Sequence, residues 1–177
     1  MATPARQTKI DAVAAAKLPD VRVVLEDIVD PHNAAAILRT CDALCVSRVH
    51  YLFDQVSPYD PKAVGKLSSS TANKWVDTVV HTDRAELETE LRAAQFASVA
   101  TTIHQPEAEQ LWEADLASTP VALWVGNERT GLSEPALEYA DRYITLPMRG
   151  FVESLNVSVA TAIFLAEIIR QRHSGEG

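Results

Sequence analysis

Short β-branched runs alternate with helix-period runs along almost the whole chain, and that alternation constrains the fold more than any other feature. Residues 21–28, 48–53, 75–80, 97–102, 121–125 and 143–146 read as strands. Between them, residues 33–46, 84–95 and 135–140 carry helical spacing, residues 62–69 a weaker form of it, and residues 154–172 a final helix. Strands separated by helices cannot pair as simple hairpins, so the expected fold is α/β, a mostly parallel sheet flanked by helices. A ligand site then belongs at the carboxyl ends of the strands.

A chain of 177 residues can build one core that buries roughly 70% of the unfolded surface, so neither a disulfide nor a structural metal is required. The expected organisation is a helical extension over 1–20, a single domain over 21–172 and a flexible tail over 173–177. Cys41 and Cys45 lie four apart on a predicted helix and read as core thiols. The five histidines show no metal-ligand spacing, so no metal is expected and most of these side chains are assigned to solvent or loops. No run approaches the roughly 18 apolar residues of a membrane span, and residues 1–17 lack the apolar block of a signal peptide, which points to a cytoplasmic chain without membrane contact.

Of the six glycines, Gly126, Gly131 and Gly150 fall in one late stretch. The first strand is followed by Asp30-Pro31-His32-Asn33 where a dinucleotide fold needs Gly-x-Gly-x-x-Gly, and no phosphate-binding Gly-x-x-x-x-Gly-Lys motif occurs, so NAD and ATP sites are disfavoured. Three segments carry candidate chemistry. In Asn33-x5-Arg39, Asn33 opens a helix and Arg39 follows nearly two turns on; alone this reads as a cap region plus an exposed arginine. In Gly126-Asn127-Glu128-x2-Gly131-Leu132, a buried strand ends at glycine and a carboxylate follows; a plain strand-turn-helix and a ligand loop fit equally well. In Leu146-Pro147-Met148-x5-Ser154-Leu155-Asn156-Val157-Ser158, the polar residues at the helix start either cap it or line a pocket, and the neighbouring Pro-Gly loop favours a pocket.

Together and in this order, the three segments resemble the three signature motifs of the SpoU branch of the SPOUT methyltransferases, over about residues 21–172. The run Ser68-Ser69-Ser70-Thr71-Ala72-Asn73-Lys74-Trp75-Val76 adds a likeness to the group that methylates the D-loop guanosine of tRNA at position 18. The resemblance implies a sheet whose C-terminal segment is threaded into a deep trefoil knot, in a homodimer. It implies S-adenosylmethionine as cofactor, held by Thr101, Val125, Gly126, Ile144, Leu146, Met148 and Leu155. It implies catalytic work by Arg39, Asn33, Glu128, Ser154 and Asn156: Arg39 contacts substrate phosphate by positioning and charge, with base catalysis as its other implied role, and the asparagines orient it or the substrate. The partner is tRNA; the anticodon wobble ribose, rRNA and an inactive RNA-binding module are the alternatives.

A net charge of -8, from 24 acids against 16 bases, argues at first against any nucleic-acid partner. The charge is unevenly spread, however: residues 77–115 hold nine acids and two bases, whereas 1–76 hold nine bases and eight acids. The proposed RNA-facing residues Arg39, Lys62, Lys66, Lys74, Arg129 and Arg149 all lie outside the acidic stretch. RNA is therefore expected to avoid the face carrying Glu86, Glu88, Glu90, Glu107 and Glu109.

Overall fold

The computed structural model describes residues 3–61 and 75–174. The predicted helix over 62–69 and the candidate contacts Lys62, Lys66 and Lys74 lie outside them. Within the described residues the elements run α1 (Pro4–Ala15), β1 (Leu18–Glu26), α2 (Pro31–Ala43), β2 (Val46–Leu52), β3 (Asp77–His81), α3 (Arg84–Ala93), β4 (Ala97–Thr101), β5 (Glu109–Gln110), β6 (Val121–Val125), α4 (Glu134–Tyr139), β7 (Arg142–Thr145) and α5 (Val157–Ser174). Every strand pairing is parallel, in the order β3-β2-β1-β6-β4-β7-β5. Among the described residues no helix is long and apolar enough to cross a membrane.

The period-two alternation of the strands sorts the core into two layers. Val21, Val23, Leu25, Val49, Tyr51, Val99, Leu123 and Val125 pack on one face with Ile37, Leu38 and Cys41 of α2 and Phe164, Leu165 and Ile168 of α5. Val24, Leu52, Ala100, Ala122 and Trp124 point to the other face, against Leu87 and Leu91 of α3 and Ala136 of α4. Burial raises the Cys41 thiol to about 12, so it stays protonated in the core. Cys45 sits beyond the end of α2 at φ +59, half-buried rather than on the helix; both thiols are free.

Three boundaries differ from expectation for local reasons. β1 stops at Glu26 because Asp27 turns to φ +52, so the strand is not continued to residue 28. α2 opens at Pro31 rather than at Asn33, with Asp30 as its cap, the carboxylate accepting from the His32 N–H. α5 begins at Val157, because the Asn156 side chain and carbonyl cap it; residues 154–156 therefore belong to the preceding loop. The two-residue β5 has no counterpart among the expected strands: both its residues are exposed and polar, and it is held by pairing to β7.

From β1 the sheet grows outward through β2 and β3, and on the other side through β6, β4 and β7. The strand order thus reverses at β1, where an open parallel sheet leaves a crevice at its carboxyl edge. The register places Leu25 beside Val125 and Thr101 beside Ile144, bringing the loops after β1, β6, β4 and β7 to one rim.

Candidate active site

A cavity of about 560 Å³ opens on this rim. Its walls come from the loop after β4 (Thr101 to His104), the β6–α4 loop (Val125 to Leu132), Leu146 and Met148 after β7, residues 153–156, and one face of α5. That face is Val157, Ala160, Thr161 and Phe164, an i, i+3, i+4, i+7 spacing that helical periodicity makes legible in the sequence once the helix is known to border a site. The cavity's volume lies in the range of small-molecule sites, and its lining joins apolar side chains to backbone donors and acceptors.

The three motif segments are tied together here by hydrogen bonds that span most of the chain. Glu128 accepts from the backbone N–H of Val29 at 3.1 Å and of Asp30 at 3.2 Å, and from Nδ2 of Asn33 at 3.0 Å. Asn33 in turn accepts, through Oδ1, from Nδ2 of Asn156 at 3.0 Å. The other end of Asn156 accepts from the N–H and Oγ of Ser158, at 2.9 and 2.6 Å. The carboxylate therefore holds the β1–α2 loop, and two asparagines pass that position on to the start of α5. Burial, then the charges of Glu128 and Asp30, raise the phenol of nearby Tyr59, which stays neutral.

A second network sets the β6–α4 loop. Buried Glu26, at the end of β1, accepts from the Ser133 N–H at 2.8 Å and Oγ at 2.7 Å and pairs with Arg84. Arg84 also reaches Asp54 at 3.0 Å; desolvation lowers its affinity for a proton, but the bonds to Glu26 and Asp54 outweigh that and raise it. Asn127 donates to the Asp27 carbonyl at 2.8 Å and accepts from the N–H groups of Arg129 and Thr130, which fixes the turn. Gly126 is required by close approach: a Cβ there would lie 2.2 Å from the backbone of Gly131 and Leu132. Thr101 Oγ1 donates to the Trp124 carbonyl at 2.9 Å, locking the adjacent strand ends. Glu26 and Arg84 carried no sequence signal, because their role appears only when β1, α3 and the β6–α4 loop are brought together.

Of the expected cofactor residues, Thr101, Val125, Gly126, Leu146, Met148 and Leu155 line the cavity. Ile144 does not: it is fully buried in the core, and its carbonyl accepts from the Thr102 N–H at 3.0 Å. Of the expected catalytic residues, Asn33, Glu128, Ser154 and Asn156 line it as well. Arg39 does not. Six residues along α2 place it about 9 Å from Asn33 and about 240° round the helix, where it is exposed to solvent.

The arginines divide in a way the sequence did not reveal. Arg22, Arg48, Arg84, Arg92, Arg142, Arg170 and Arg172 each pair with a carboxylate. Arg6, Arg39, Arg129 and Arg149 are exposed and, among the described residues, none pairs with an acid. Glu90 and Glu109 of the acidic stretch are partly neutralised by Arg22, Arg48 and Arg142. The site thus offers a pocket suited to an uncharged aromatic ring, a rigid carboxylate–amide chain across its mouth, and unpaired guanidiniums available to an anionic ligand.

Comparison with known proteins places these features. The SpoU rRNA Methylase family matches residues 20–166. The tRNA (guanosine(18)-2'-O)-methyltransferase of Thermus thermophilus is 41% identical over 170 residues, 96% of this chain and 84% of that protein. The crystal structure of the Aquifex aeolicus TrmH/SpoU tRNA modifying enzyme superposes with a TM-score of 0.80 at 30% identity, covering 96% of this chain and 85% of that one. The SpoU methyltransferase AviRb from Streptomyces viridochromogenes, in complex with its cofactor AdoMet, superposes with a TM-score of 0.75 at 28% identity, over 90% of this chain and 59% of that one.

Proposed function

Since the chain belongs to the SpoU rRNA Methylase family, we propose that it is an S-adenosylmethionine-dependent RNA ribose 2'-O-methyltransferase whose substrate is tRNA and whose target is the D-loop guanosine at position 18. The observation that carries this reading is the Glu128–Asn33–Asn156 chain, which joins all three motif segments across the mouth of one cavity. With tRNA as substrate, the protein works in the cytoplasm.

The cavity fits the cofactor. Val125, Leu146, Met148 and Leu155 supply apolar walls for an adenine ring, and the glycine at 126 lets the backbone of Gly131 and Leu132 come close enough to close the pocket. When bound, S-adenosylmethionine supplies an electrophilic methyl group. The protein must align a ribose hydroxyl with it, and such alignment contributes several kcal/mol to catalysis. Asn33 and Asn156 present amide groups at the mouth, held rigid by Glu128 and Ser158, and Ser154 stands beside them. Arg39 lies outside the cavity and exposed, so its guanidinium acts by charge at a distance from the cofactor, holding a phosphate of the substrate.

The finer architecture follows from the same reading. We infer a trefoil-knotted C-terminus: α5 packs on α2, while Gln171 and Arg172 at its far end bond to the backbone of residues 114–119, which precede β6. We also infer a homodimer, because Phe151, Val152 and Val159 expose apolar side chains along the loop and first turn of α5. Sedimentation of the purified chain at monomer mass would remove the dimer from the reading. RNA approaches Arg39, Arg129 and Arg149 and avoids the α3 acids, so tRNA affinity falls steeply with added salt.

Incubation of methyl-labelled cofactor with unmodified tRNA and, separately, with unmodified rRNA, followed by nucleoside mapping, tests the function. Label at guanosine 18 is the expected result; label at the wobble ribose or in rRNA overturns the substrate, and none in either RNA overturns the activity. In Arg39→Ala, cofactor binding should persist while methyl transfer to tRNA falls. Unchanged transfer would remove Arg39 from the mechanism.

A further inference from the structure

The sheet face under α3 carries a cluster that the methyl-transfer site does not use. His50 on β2 and His81 on β3 both point toward α3 and are 0% and 6% exposed, against the expectation that such histidines lie in solvent or loops. Nδ1 of His50 is 3.0 Å from Nε2 of His81, and the rings stack with centroids 5.2 Å apart. Glu90 of α3 closes the group: a carboxylate oxygen and the two ring nitrogens all lie within 4.8 Å of one another. Nε2 of His50, on the far side of the ring from His81, is buried with no partner among the described residues.

The geometry and the charges fit a metal ion. A tetrahedral site with bonds of about 2.0–2.1 Å spaces its ligand atoms about 3.3–3.4 Å apart. The two ring nitrogens already stand near that separation, and Glu90 reaches it by a side-chain adjustment of at most about 1.5 Å. Arg22 and Arg48 both donate to Oε1 of Glu90, at 3.0 and 3.3 Å. That leaves Oε2 available and supplies the outer hydrogen bonds that ligating carboxylates characteristically have. The charged groups facing the cluster are Arg22 and Arg48 against Glu90, Glu86 and Asp77, so a divalent cation enters a net negative surrounding.

We propose that His50, His81 and Glu90 form a binding site for a transition-metal ion of the zinc class, with water as fourth ligand, which clamps β2 and β3 to α3. Two imidazoles and one carboxylate suit zinc and its neighbours rather than calcium or magnesium, which take oxygen ligands. None of the three residues lines the cavity, so the ion has a structural rather than a catalytic role. The ligands come from three separate elements at positions 50, 81 and 90, which is why no ligand spacing marks them in the sequence.

The test is titration of the metal-free full chain with zinc chloride by calorimetry, and with cobalt(II) chloride by absorption spectroscopy. One zinc ion per chain is expected, with a rise in Tm that EDTA reverses. Cobalt should give the intense visible band of a four-coordinate ion, without the thiolate charge transfer that Cys41 or Cys45 would add. In His81→Gln the affinity should fall by more than the roughly 10- to 100-fold that losing an outer partner costs, while circular dichroism stays native. Absence of binding, a weak six-coordinate cobalt spectrum, or unchanged affinity in His81→Gln overturns the proposal. If that variant does not fold, the cobalt spectrum of the unaltered chain decides.

Discussion

Replacing Gly126 by alanine adds one carbon atom, and the structure says where it must go. The new Cβ would stand 2.2 Å from the carbonyl carbon of Gly131, 2.2 Å from the Leu132 nitrogen and 2.5 Å from the Gly131 oxygen. These are backbone atoms and cannot rotate aside. Restoring an ordinary contact of about 3.4 Å needs the two strands of the loop to part by about 1.2 Å. The Gly131 N–H now donates to the Asn127 carbonyl at 2.9 Å, and that displacement breaks the bond. Leu132, 8% exposed, would be drawn off its cluster with Trp124 and Ala136. Overpacking costs about 1–3 kcal/mol and an orphaned backbone group about 1–2 kcal/mol more, a total of roughly 2–5 kcal/mol. For a domain of this size that lowers Tm by roughly 5–15 °C. Thermal unfolding followed by circular dichroism measures it, and calorimetry with S-adenosylmethionine should show at least a tenfold weaker Kd. Gly131→Ala is the internal control: its Cβ meets nothing within 4 Å, so it costs only the strain of a left-handed φ of +72°, about 1–2 kcal/mol. If Gly126→Ala melts within 1–2 °C of the parent and binds cofactor equally, or if Gly131→Ala is the less stable of the two, the steric reasoning is wrong.

Glu128→Gln keeps the shape of the side chain but turns one oxygen into a donor facing the N–H of Val29, or those of Asp30 and Asn33. It should cost roughly 1–3 kcal/mol in urea unfolding and lower kcat for methyl transfer more than cofactor affinity; a parent-like kcat would show that the carboxylate chain does not position the reaction. Acidification should unfold the protein through the buried histidines. Folding holds His50 near 3 against an ordinary 6.5, so stability is intact above pH 6.5 and drains as the unfolded chain takes up the proton first, down to about pH 3. Between pH 6.5 and 5 that amounts to about 2 kcal/mol from His50 alone, measured in EDTA as a falling urea midpoint. His50→Gln should flatten this slope, and an unaltered slope would mean that the ring is not held neutral.

The alternation of strand and helix patterns sufficed to read a parallel sheet with helices on both faces, because burial on a sheet or helix surface imposes a period on nearest neighbours in the chain. The strand over 121–125 was legible to the residue, since all five side chains are buried and the flanking Pro120 and Gly126 bound it. Two-residue β5 was not, because an edge strand of Glu and Gln has no pattern to read. The three motif segments could be picked out as residue types at fixed spacings, yet spacing along α2 could not tell that Asn33 enters the cavity and Arg39 leaves it. The bonds that build the site join residues 95 positions apart, Glu128 to Asn33, and 123 positions apart, Asn156 to Asn33. The His50–His81–Glu90 cluster is likewise a product of parallel pairing between β2 and β3 beneath α3. Local periodicity determined the elements and their buried faces. Which loops share a rim, which arginines keep their charge free and which histidines lose water were decided by the order in which the strands packed, because contacts between distant segments leave no trace in short-range pattern.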